Sequence, residues 1–196
     1  MSDKGLRLFL AADIPAEAKK LIANAVERSR GDLAGARWVR AENLHLTLKF
    51  IGAYPEEGLG SLSNELRESC SRCEPFEAAL GGCGAFPSPA RARILWVALY
   101  EGMEGAQAVA RKLDARLEKS GVEREGRPWR GHITLARLKQ PGDCGTVLGG
   151  LEAELAALPS IAFKVDEVVL YRSILGPQGP TYVALERIAL GGKQHE

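Results

Sequence analysis

The chain has no apolar run approaching the roughly 20 residues that a membrane-spanning helix needs, so we expect no membrane partner. It also lacks an excess of either charge, because 26 Lys and Arg face 25 Asp and Glu, a formal net charge of +1. The protein therefore has no overall positive electrostatic potential that would attract nucleic acid. An anionic ligand must be bound by a local cluster of cationic side chains. The first residues lack the apolar stretch of a secretory signal, so we expect a cytoplasmic protein.

Cysteine is scarce, with four residues in a chain of 196. Cys70 and Cys73 form a single C-x-x-C motif, whereas Cys83 and Cys144 stand alone. A structural zinc site of this type usually has a second such pair. We therefore expect reduced thiols and no bound metal. The apolar fraction of 45% is ample for a sizeable core, and the length suits one large domain or two small lobes.

Histidine is scarcer still, with three copies, yet two of them stand in the same sequence context. Residues 43–52 read NLHLTLKFIG, and residues 131–137 read GHITLAR. A single H-x-T is usually an unremarkable pair on a strand, but two copies with the same apolar spacing favour a shared function. The third histidine, His195, lies in the terminal tail and has little claim to a role.

Both copies have the pattern of a strand with one apolar face. Side chains alternate between the two faces of a strand, so each copy presents polar residues on one side only. The residues expected on the open faces are His45, Thr47 and Lys49 in the first copy, and His132 and Thr134 in the second. The residues expected to turn into the core are Leu44, Leu46, Leu48 and Phe50, and then Ile133 and Leu135.

The periodicity along the chain predicts the order β-α-β-β-α-β-β-α-β-α-β-β, with helices over residues 16–30, 56–70, 104–120 and 143–157. This order is typical of an α+β protein, and we expect two mainly antiparallel sheets that line a central cleft, with helices on their outer faces. The two His/Thr strands lie in the two halves of the chain. We therefore expect residues 1–196 to form a single domain of two lobes, related by a pseudo-twofold axis, with one strand from each lobe lining a shared central cleft.

Two histidines facing a cleft can supply both a general base and a general acid without a metal, because the ordinary imidazole pKa is near 6.5. Cleavage of a phosphodiester needs such a pair: one group takes a proton from the attacking oxygen and the other protonates the leaving oxygen. The hydroxyls of Thr47 and Thr134 can donate hydrogen bonds to the non-bridging phosphate oxygens. The pattern therefore predicts metal-independent chemistry on a phosphodiester.

Basic and aromatic residues close to the motifs suit a phosphate or nucleotide ligand. Lys49 is expected beside His45, and Arg130 precedes the second motif. Strict alternation puts Arg137 on the face opposite to His132, unless the strand bulges or ends there. Trp129 and Tyr182 are candidates for stacking on a base, as is Trp38.

Taken together, these motifs resemble the two-histidine phosphoesterase superfamily, and in particular its RNA 2′,3′-cyclic phosphodiesterase branch, also called the 2′-5′ RNA ligase family. The matching segments cover nearly the whole chain in the same order: Arg7–Phe9, Trp38–Val39, Asn43–Gly52, Phe86–Pro89, His132–Arg137, Leu170–Ser173 and Gly179–Tyr182. One departure is visible, because the residue before the second histidine is usually proline in that family and is Gly131 in this chain.

The resemblance implies hydrolysis of RNA 2′,3′-cyclic phosphate ends to 2′-phosphates, without a cofactor, and with reversible 2′-5′ ligation of RNA as a further activity. It implies that His45 donates a proton to the leaving 3′ oxygen and that His132 activates water. Thr47 and Thr134 would bind the phosphate, and Arg137 matches the arginine that closes the second motif. The expected partners are RNA with cyclic phosphate ends or cyclic nucleotides, and the expected state is a monomer.

Two alternatives remain open on these residues. One is a related enzyme that acts on 2′-5′ linked oligonucleotides or on an ADP-ribose cyclic phosphate, since the chemistry at phosphorus is shared. The other is a non-catalytic module that binds RNA or nucleotides. The second is disfavoured because both H-x-T sets are intact.

Overall fold

The computed structural model describes residues 5–31, 33, 35–158, 161–177 and 179–192, and the tail with His195 lies outside these ranges. Over the described residues, no helix combines the length and the apolar character needed to cross a bilayer. The helices are α1 (Ala16–Ser29), α2 (Leu59–Cys70), α3 (Met103–Leu117) and α4 (Gly145–Ala156). The strands are β1 (Leu6–Asp13), β2 (Ala36–Trp38), β3 (His45–Tyr54), β4 (Phe76–Phe86), β5 (Ala92–Glu101), β6 (Ile133–Gly142), β7 (Ala162–Val165), β8 (Glu167–Gly176) and β9 (Gly179–Ala189).

The observed order of elements matches the expected one, with a single addition. The first of the two strands expected after the fourth helix is divided at Asp166 into β7 and β8, which lie far apart in the sheet. The four helices begin and end within a few residues of their expected bounds, and α2 is preceded by one turn of 3₁₀ helix at Glu56–Gly58. The α+β class is confirmed.

All nine described strands belong to one curled sheet in the order β7-β4-β5-β6-β3-β1-β8-β9, and β2 pairs with β6 beside this path. The expected two sheets are therefore joined into one. The joint is the pairing of β3 with β6, which consists of a single bridge between Leu46 and Ile133. Each of these residues lies between the histidine and the threonine of its motif, so the two motif strands meet at equivalent positions.

The sheet order confirms the expected pseudo-twofold relation. Apart from the short β2, which has no counterpart among the described residues of the second half, β1-α1-β3-α2 corresponds to β5-α3-β6-α4, and β1 pairs with β3 as β5 pairs with β6. The corresponding residues Leu46 and Ile133 pair with each other, so the axis passes through their bridge. The two halves thus place their motif strands side by side at the centre of the sheet.

The helices cover the apolar side of the motif strands. Leu46 and Leu135 belong to the same buried cluster as Ile22 of α1 and Leu113 of α3. In α1 the buried residues Ala18, Ile22 and Ala25 recur every three or four positions, which is the spacing of one helix face. Because burial of these side chains fixes the back of β3 and β6, the polar residues between them are held on the open side of the sheet.

Candidate active site

A cleft of about 480 Å³ lies on the open side of the sheet over the motif strands. Its walls include five residues that the sequence analysis singled out: His45, Thr47, Thr134, Arg137 and Tyr182. His132 immediately precedes β6 and lies at the edge of this cleft rather than among its lining residues.

The single bridge between the motif strands determines which side chains are neighbours. In an antiparallel pair, the residue before one bridge partner faces the residue after the other. Pairing of Leu46 with Ile133 therefore places Thr134 opposite His45, and Thr47 opposite His132. The two histidines are diagonal neighbours, and the two threonines occupy the other diagonal. This is a compact four-residue constellation from two distant parts of the chain.

His45 is held firmly in a partly buried position. Its Nδ1 lies 2.7 Å from the carbonyl oxygen of Asn43, which can only accept, so Nδ1 carries a proton. Its Nε2 lies 3.0 Å from Oγ1 of Thr47. The ring also contacts aromatic side chains, with centroid distances of 5.0 Å to Phe9 and 5.3 Å to Tyr182. These contacts fix both the orientation of the imidazole and its tautomer.

The surroundings of His45 favour the neutral imidazole in the unliganded protein. Burial lowers the pKa of His45 to about 4, and the positive charges of Lys19 and Arg137 act in the same direction. The hydrogen bond to the carbonyl of Asn43 and the carboxylate of Asp13 oppose this shift without overcoming it. A bound anion beside the ring would stabilise the imidazolium and raise this pKa.

His132 has the same backbone anchor and a more open setting. Its Nδ1 lies 2.8 Å from the carbonyl oxygen of Arg130, two residues earlier, just as His45 bonds two residues back. The ring of Phe86 meets it edge-on at a centroid distance of 5.2 Å. Burial lowers the pKa of His132, the backbone hydrogen bond opposes that shift, and the charge of Arg137 adds to it. In both histidines Nε2 is therefore the ring nitrogen left to exchange a proton with a ligand, and in His45 it also accepts a hydrogen bond from Oγ1 of Thr47.

A β-bulge in the first motif changes the expected alternation. Leu10 pairs with Lys49 and the next residue, Ala11, pairs with Thr47, so Leu48 is an extra residue in β3. One extra residue reverses the face of everything that follows it. Leu48 and Lys49 are both buried, whereas Phe50 lines the cleft with 58% of its surface exposed. The expectations that Lys49 shares a face with His45 and that Phe50 enters the core are therefore wrong.

Lys49 lies beneath the sheet instead of in the cleft. Its side chain is 1% exposed, and its Nζ lies 2.8 Å from Oδ1 of Asp114 in α3. The same Nζ donates a hydrogen bond of 2.6 Å to the carbonyl oxygen of Glu123. Burial alone would raise the pKa of Asp114, but its hydrogen bonds, above all with Lys49, hold it below the usual value. Lys49 thus ties β3 to α3 and to the segment after it, and it is not among the residues that line the cleft.

The second motif has a bulge at the equivalent position. Leu95 pairs with Ala136 and Trp96 pairs with Thr134, so Leu135 is the extra residue in β6. Leu135 and Ala136 are both buried, and Arg137 returns to the face of Thr134 and lines the cleft. Strict alternation would have pointed Arg137 away, and the bulge is the reason that it does not.

Trp129 joins the two motifs to each other. Its Nε1 donates a hydrogen bond of 3.1 Å to the carbonyl oxygen of Thr47 in β3. Its ring packs on Gly131, where an added Cβ would lie 2.5 Å from the indole. The glycine that departs from the family pattern thus makes room for this indole just before His132. Trp129 is half-buried and is not part of the cleft wall, and the side chain of Arg130 is exposed outside it.

Several residues of the cleft wall were not predicted from the sequence to belong to the site. Arg7 and Phe9 of β1 line the cleft beside β3, and Ser173 of β8 lies on the same wall. Alternation places Arg7 and Phe9 on one face of β1, so the pattern contained this signal once β1 is known to pair with β3. The contact of Phe9 with Tyr171, at a centroid distance of 5.3 Å, depends on the order of strands and has no local signal.

The cysteines take no part in this cleft. Cys70 and Cys73 are buried near the end of α2, and burial raises the pKa of Cys70 to about 12. Within the described ranges, no group of three or more His, Cys, Asp or Glu side chains has the arrangement of a metal site.

The chain is similar to known proteins along most of its length. A model of the "LigT like Phosphoesterase" family matches residues 13–96 and again residues 99–182. The chain is 36% identical to the RNA 2′,3′-cyclic phosphodiesterase of Thermus thermophilus, covering 96% of this chain and 92% of the relative. It is 34% identical to the protein of the same name from Methanothermobacter thermautotrophicus, covering 92% and 97% of the two chains.

The fold has close counterparts among solved structures. A Thermus thermophilus protein superposes with a TM-score of 0.77 at 30% identity, covering 96% of this chain and all 100% of that one. E. coli LigT in complex with 3′-AMP superposes with a TM-score of 0.75 at 29% identity, covering 94% and 98% of the two chains. The resemblance inferred from the two histidine motifs is confirmed: this chain belongs to the LigT-like phosphoesterase family.

Proposed function

We propose that the protein hydrolyses RNA 2′,3′-cyclic phosphate ends to 2′-phosphates, with His45 and His132 as acid and base and without a metal. The observation that carries the proposal is the pairing of two His-x-Thr motifs across the Leu46–Ile133 bridge beside a cleft. The names of the relatives, RNA 2′,3′-cyclic phosphodiesterase, support the reaction class. Acceptance of a nucleotide by the fold is supported by the 3′-AMP complex of E. coli LigT.

The diagonal arrangement suits an in-line displacement at phosphorus. In a regular antiparallel pair, the Cα atoms of diagonal neighbours lie about 7–8 Å apart. This separation leaves room for one phosphate group between the two imidazoles. Nε2 of His132 takes a proton from water as the water oxygen attacks phosphorus. The bond between phosphorus and O3′ breaks, and Nε2 of His45 gives its proton to O3′. The product is a 2′-phosphate with a free 3′-hydroxyl.

The remaining polar groups serve the phosphate during this step. The hydroxyls of Thr47 and Thr134 donate to non-bridging oxygens, where negative charge increases in the transition state. Arg137 and Arg7 supply positive charge at the cleft wall, and that wall carries no carboxylate side chain within the described residues. The negative phosphate raises the low pKa of His45 on binding, so the anionic substrate itself favours the protonated acid.

The same centre can also transfer the phosphate to an alcohol instead of to water. In hydrolysis, water is the nucleophile that opens the cyclic phosphate. A ribose 5′-hydroxyl can take the place of that water. Attack by that hydroxyl on the cyclic phosphate, with departure of O3′, gives a 2′-5′ linkage. Ligation is therefore part of the proposal as a secondary activity of the same groups.

The test is a product analysis with purified protein in EDTA. The substrates are the four nucleoside 2′,3′-cyclic monophosphates and a short RNA ending in a cyclic phosphate, and the 2′- and 3′-phosphate products are separated by chromatography. We expect 2′-phosphate only. A His45→Ala, His132→Ala double variant, purified identically, controls for contaminating nucleases.

Three results would contradict the proposal. A 3′-phosphate product would reverse the regiochemistry, and loss of activity on chelation would require a metal. No turnover of any cyclic substrate would favour either a phosphodiesterase for 2′-5′ linked oligonucleotides or ADP-ribose cyclic phosphate, or a non-catalytic binding module. Assays on those two substrates separate the two possibilities.

A further inference from the structure

A second cleft of about 490 Å³ continues from the first, on the side of β2. The two share a wall that includes Asn43, Arg137, Pro180 and Tyr182. The second cleft adds Arg37 and Arg40, so three arginines line it, and among the described residues no carboxylate side chain does. A protein with a net charge of +1 thus concentrates positive charge along one continuous surface.

Two of these arginines face each other directly. β2 pairs with β6 in the register Ala36 with Leu138, Arg37 with Arg137, and Trp38 with Ala136. Residues directly opposite in an antiparallel pair share one face, and like charges in that position destabilise the pair. Arg37 and Arg137 are both exposed, and neither forms an ion pair with any other described residue. An anion between them would relieve this repulsion.

Arg40 differs from this pair because its guanidinium is already held. Its Nη2 donates a hydrogen bond of 3.2 Å to the carbonyl oxygen of Pro180, and its Nε lies 3.2 Å from Oε1 of Glu42. Arg40 therefore braces the wall formed by the β8–β9 hairpin against the start of β3. The Arg37–Arg137 pair is the part of the second cleft that remains available to a ligand.

We propose that Arg37 and Arg137 bind the phosphodiester on the 5′ side of the terminal nucleotide, so that the preferred substrate is an RNA chain rather than a mononucleotide. This inference rests on the proposed function, which places the terminal cyclic phosphate between His45 and His132. Every further phosphate of an RNA with a 3′-terminal cyclic phosphate lies on the 5′ side. Arg137 lines both clefts, whereas Arg37 lines only the second, one strand farther from the histidines.

Arg37→Ala is the variant that tests this subsite. Arg37→Glu is less informative, because a carboxylate opposite Arg137 would pair with it and disturb the first cleft as well. The matched control is Arg111→Ala, which removes an exposed arginine from α3. Melting curves of both variants report whether the fold is preserved.

The substrates are cytidine 2′,3′-cyclic phosphate and the dinucleotide CpC ending in a 2′,3′-cyclic phosphate. We expect kcat/KM to be about tenfold higher for the dinucleotide, which is the usual size of one charge-assisted contact. Arg37→Ala should remove most of that ratio, and Arg111→Ala should preserve it. Calorimetric Kd values for the products, 2′-CMP and CpC with a terminal 2′-phosphate, should show the same Arg37 dependence. In Arg37→Ala, the slope of the logarithm of the dinucleotide binding constant against the logarithm of salt concentration should become shallower by about 0.7.

The possible results separate this inference from the proposed function. Hydrolysis of both substrates with equal kcat/KM, unaffected by Arg37→Ala, would overturn the subsite and leave the hydrolase intact. Absence of hydrolysis together with tighter, Arg37-dependent binding of the dinucleotide would overturn the hydrolase and support the subsite. Absence of both hydrolysis and Arg37-dependent binding would overturn both.

Discussion

The two motif strands share a scaffold and differ in their surroundings. In each, the histidine Nδ1 is anchored on the carbonyl two residues earlier, and a bulge follows the threonine at the same position. After the bulge, however, the first strand places Phe50 in the cleft and the second places Arg137. The repeated backbone geometry therefore determines which positions face the cleft. The amino acid at each position determines whether the cleft receives an apolar or a charged side chain there.

The two histidines also have different neighbours. His45 lies among Phe9, Tyr171 and Tyr182, whereas His132 contacts Phe86. Burial lowers both pKa values, and the value for His45 falls to about 4. Two chemically identical groups on a symmetric scaffold thus stand in different surroundings, His45 in an aromatic cluster and His132 in a more open position.

The largest effect should come from removing either imidazole. We expect His45→Ala and His132→Ala each to lower kcat/KM by about 10²–10⁴, the usual contribution of a general acid or base. The pH dependence of the residual rate sharpens the comparison. It should rise with pH in His45→Ala, where only the base remains, and fall with pH in His132→Ala. Near-normal turnover by either variant would rule out its assigned role.

A smaller loss is expected for Arg137→Ala, about 10- to 100-fold in kcat/KM, because one charged contact to the phosphate is removed. Arg137 lowers the pKa of both histidines, so its removal raises both values. Both limbs of a bell-shaped pH profile of kcat/KM should therefore move to higher pH. Phe50→Ala, at the equivalent position of the other strand, removes no charge and should leave the limbs in place. A shift in the opposite direction would place Arg137 away from the imidazoles.

Lys49→Met tests the first bulge. Loss of the bonds from Nζ to Asp114 and Glu123 should lower the free energy of unfolding by about 1–3 kcal/mol. The KM of the folded protein should not change, because Lys49 does not reach the cleft. Denaturant titration measures the first quantity and steady-state kinetics the second. Lys20→Met, an exposed lysine of α1, is the control. An increase in KM without a loss of stability would instead support the predicted contact between Lys49 and the phosphate.

The smallest effect is expected for Gly131→Ala. The added methyl group overlaps the indole of Trp129 and should cost about 1–2 kcal/mol of stability, together with a severalfold loss in kcat as His132 shifts. Gly126→Ala, in the same loop but with open space around it, should be neutral by both measures. Equal behaviour of the two variants would show that the contact between Trp129 and Gly131 does not position the second histidine.

Much of this arrangement could be predicted from sequence, because it depends on local periodicity. Alternation identified both motif strands and the faces of His45 and Thr47, and the repeat itself predicted the pseudo-twofold axis, which the sheet order confirms. Alternation failed after Thr47 and Thr134, since a bulge is set by pairing with the neighbouring strand and leaves no fixed mark in the sequence. The positions of Lys49 and Phe50 were wrong for that reason.

Residues on other strands were missed for a different reason. Arg7, Phe9 and Arg37 reach the clefts because β1 lies beside β3 and β2 lies beside β6. Strand order is a tertiary property, and local pattern does not specify it. The motifs could therefore be found from sequence, whereas much of the wall around them could not.

The Leu46–Ile133 bridge gives the chain the symmetry of a pair of subunits. In a twofold-symmetric dimer of identical chains, a residue on the axis contacts its own copy. Leu46 and Ile133 occupy equivalent places in the two motifs and contact each other in this way. The chain thus has, within one polypeptide, the symmetry of a twofold dimer. Identical subunits would carry the same residue after each bulge, whereas the two halves of one polypeptide can differ, and here one carries Phe50 while the other carries Arg137.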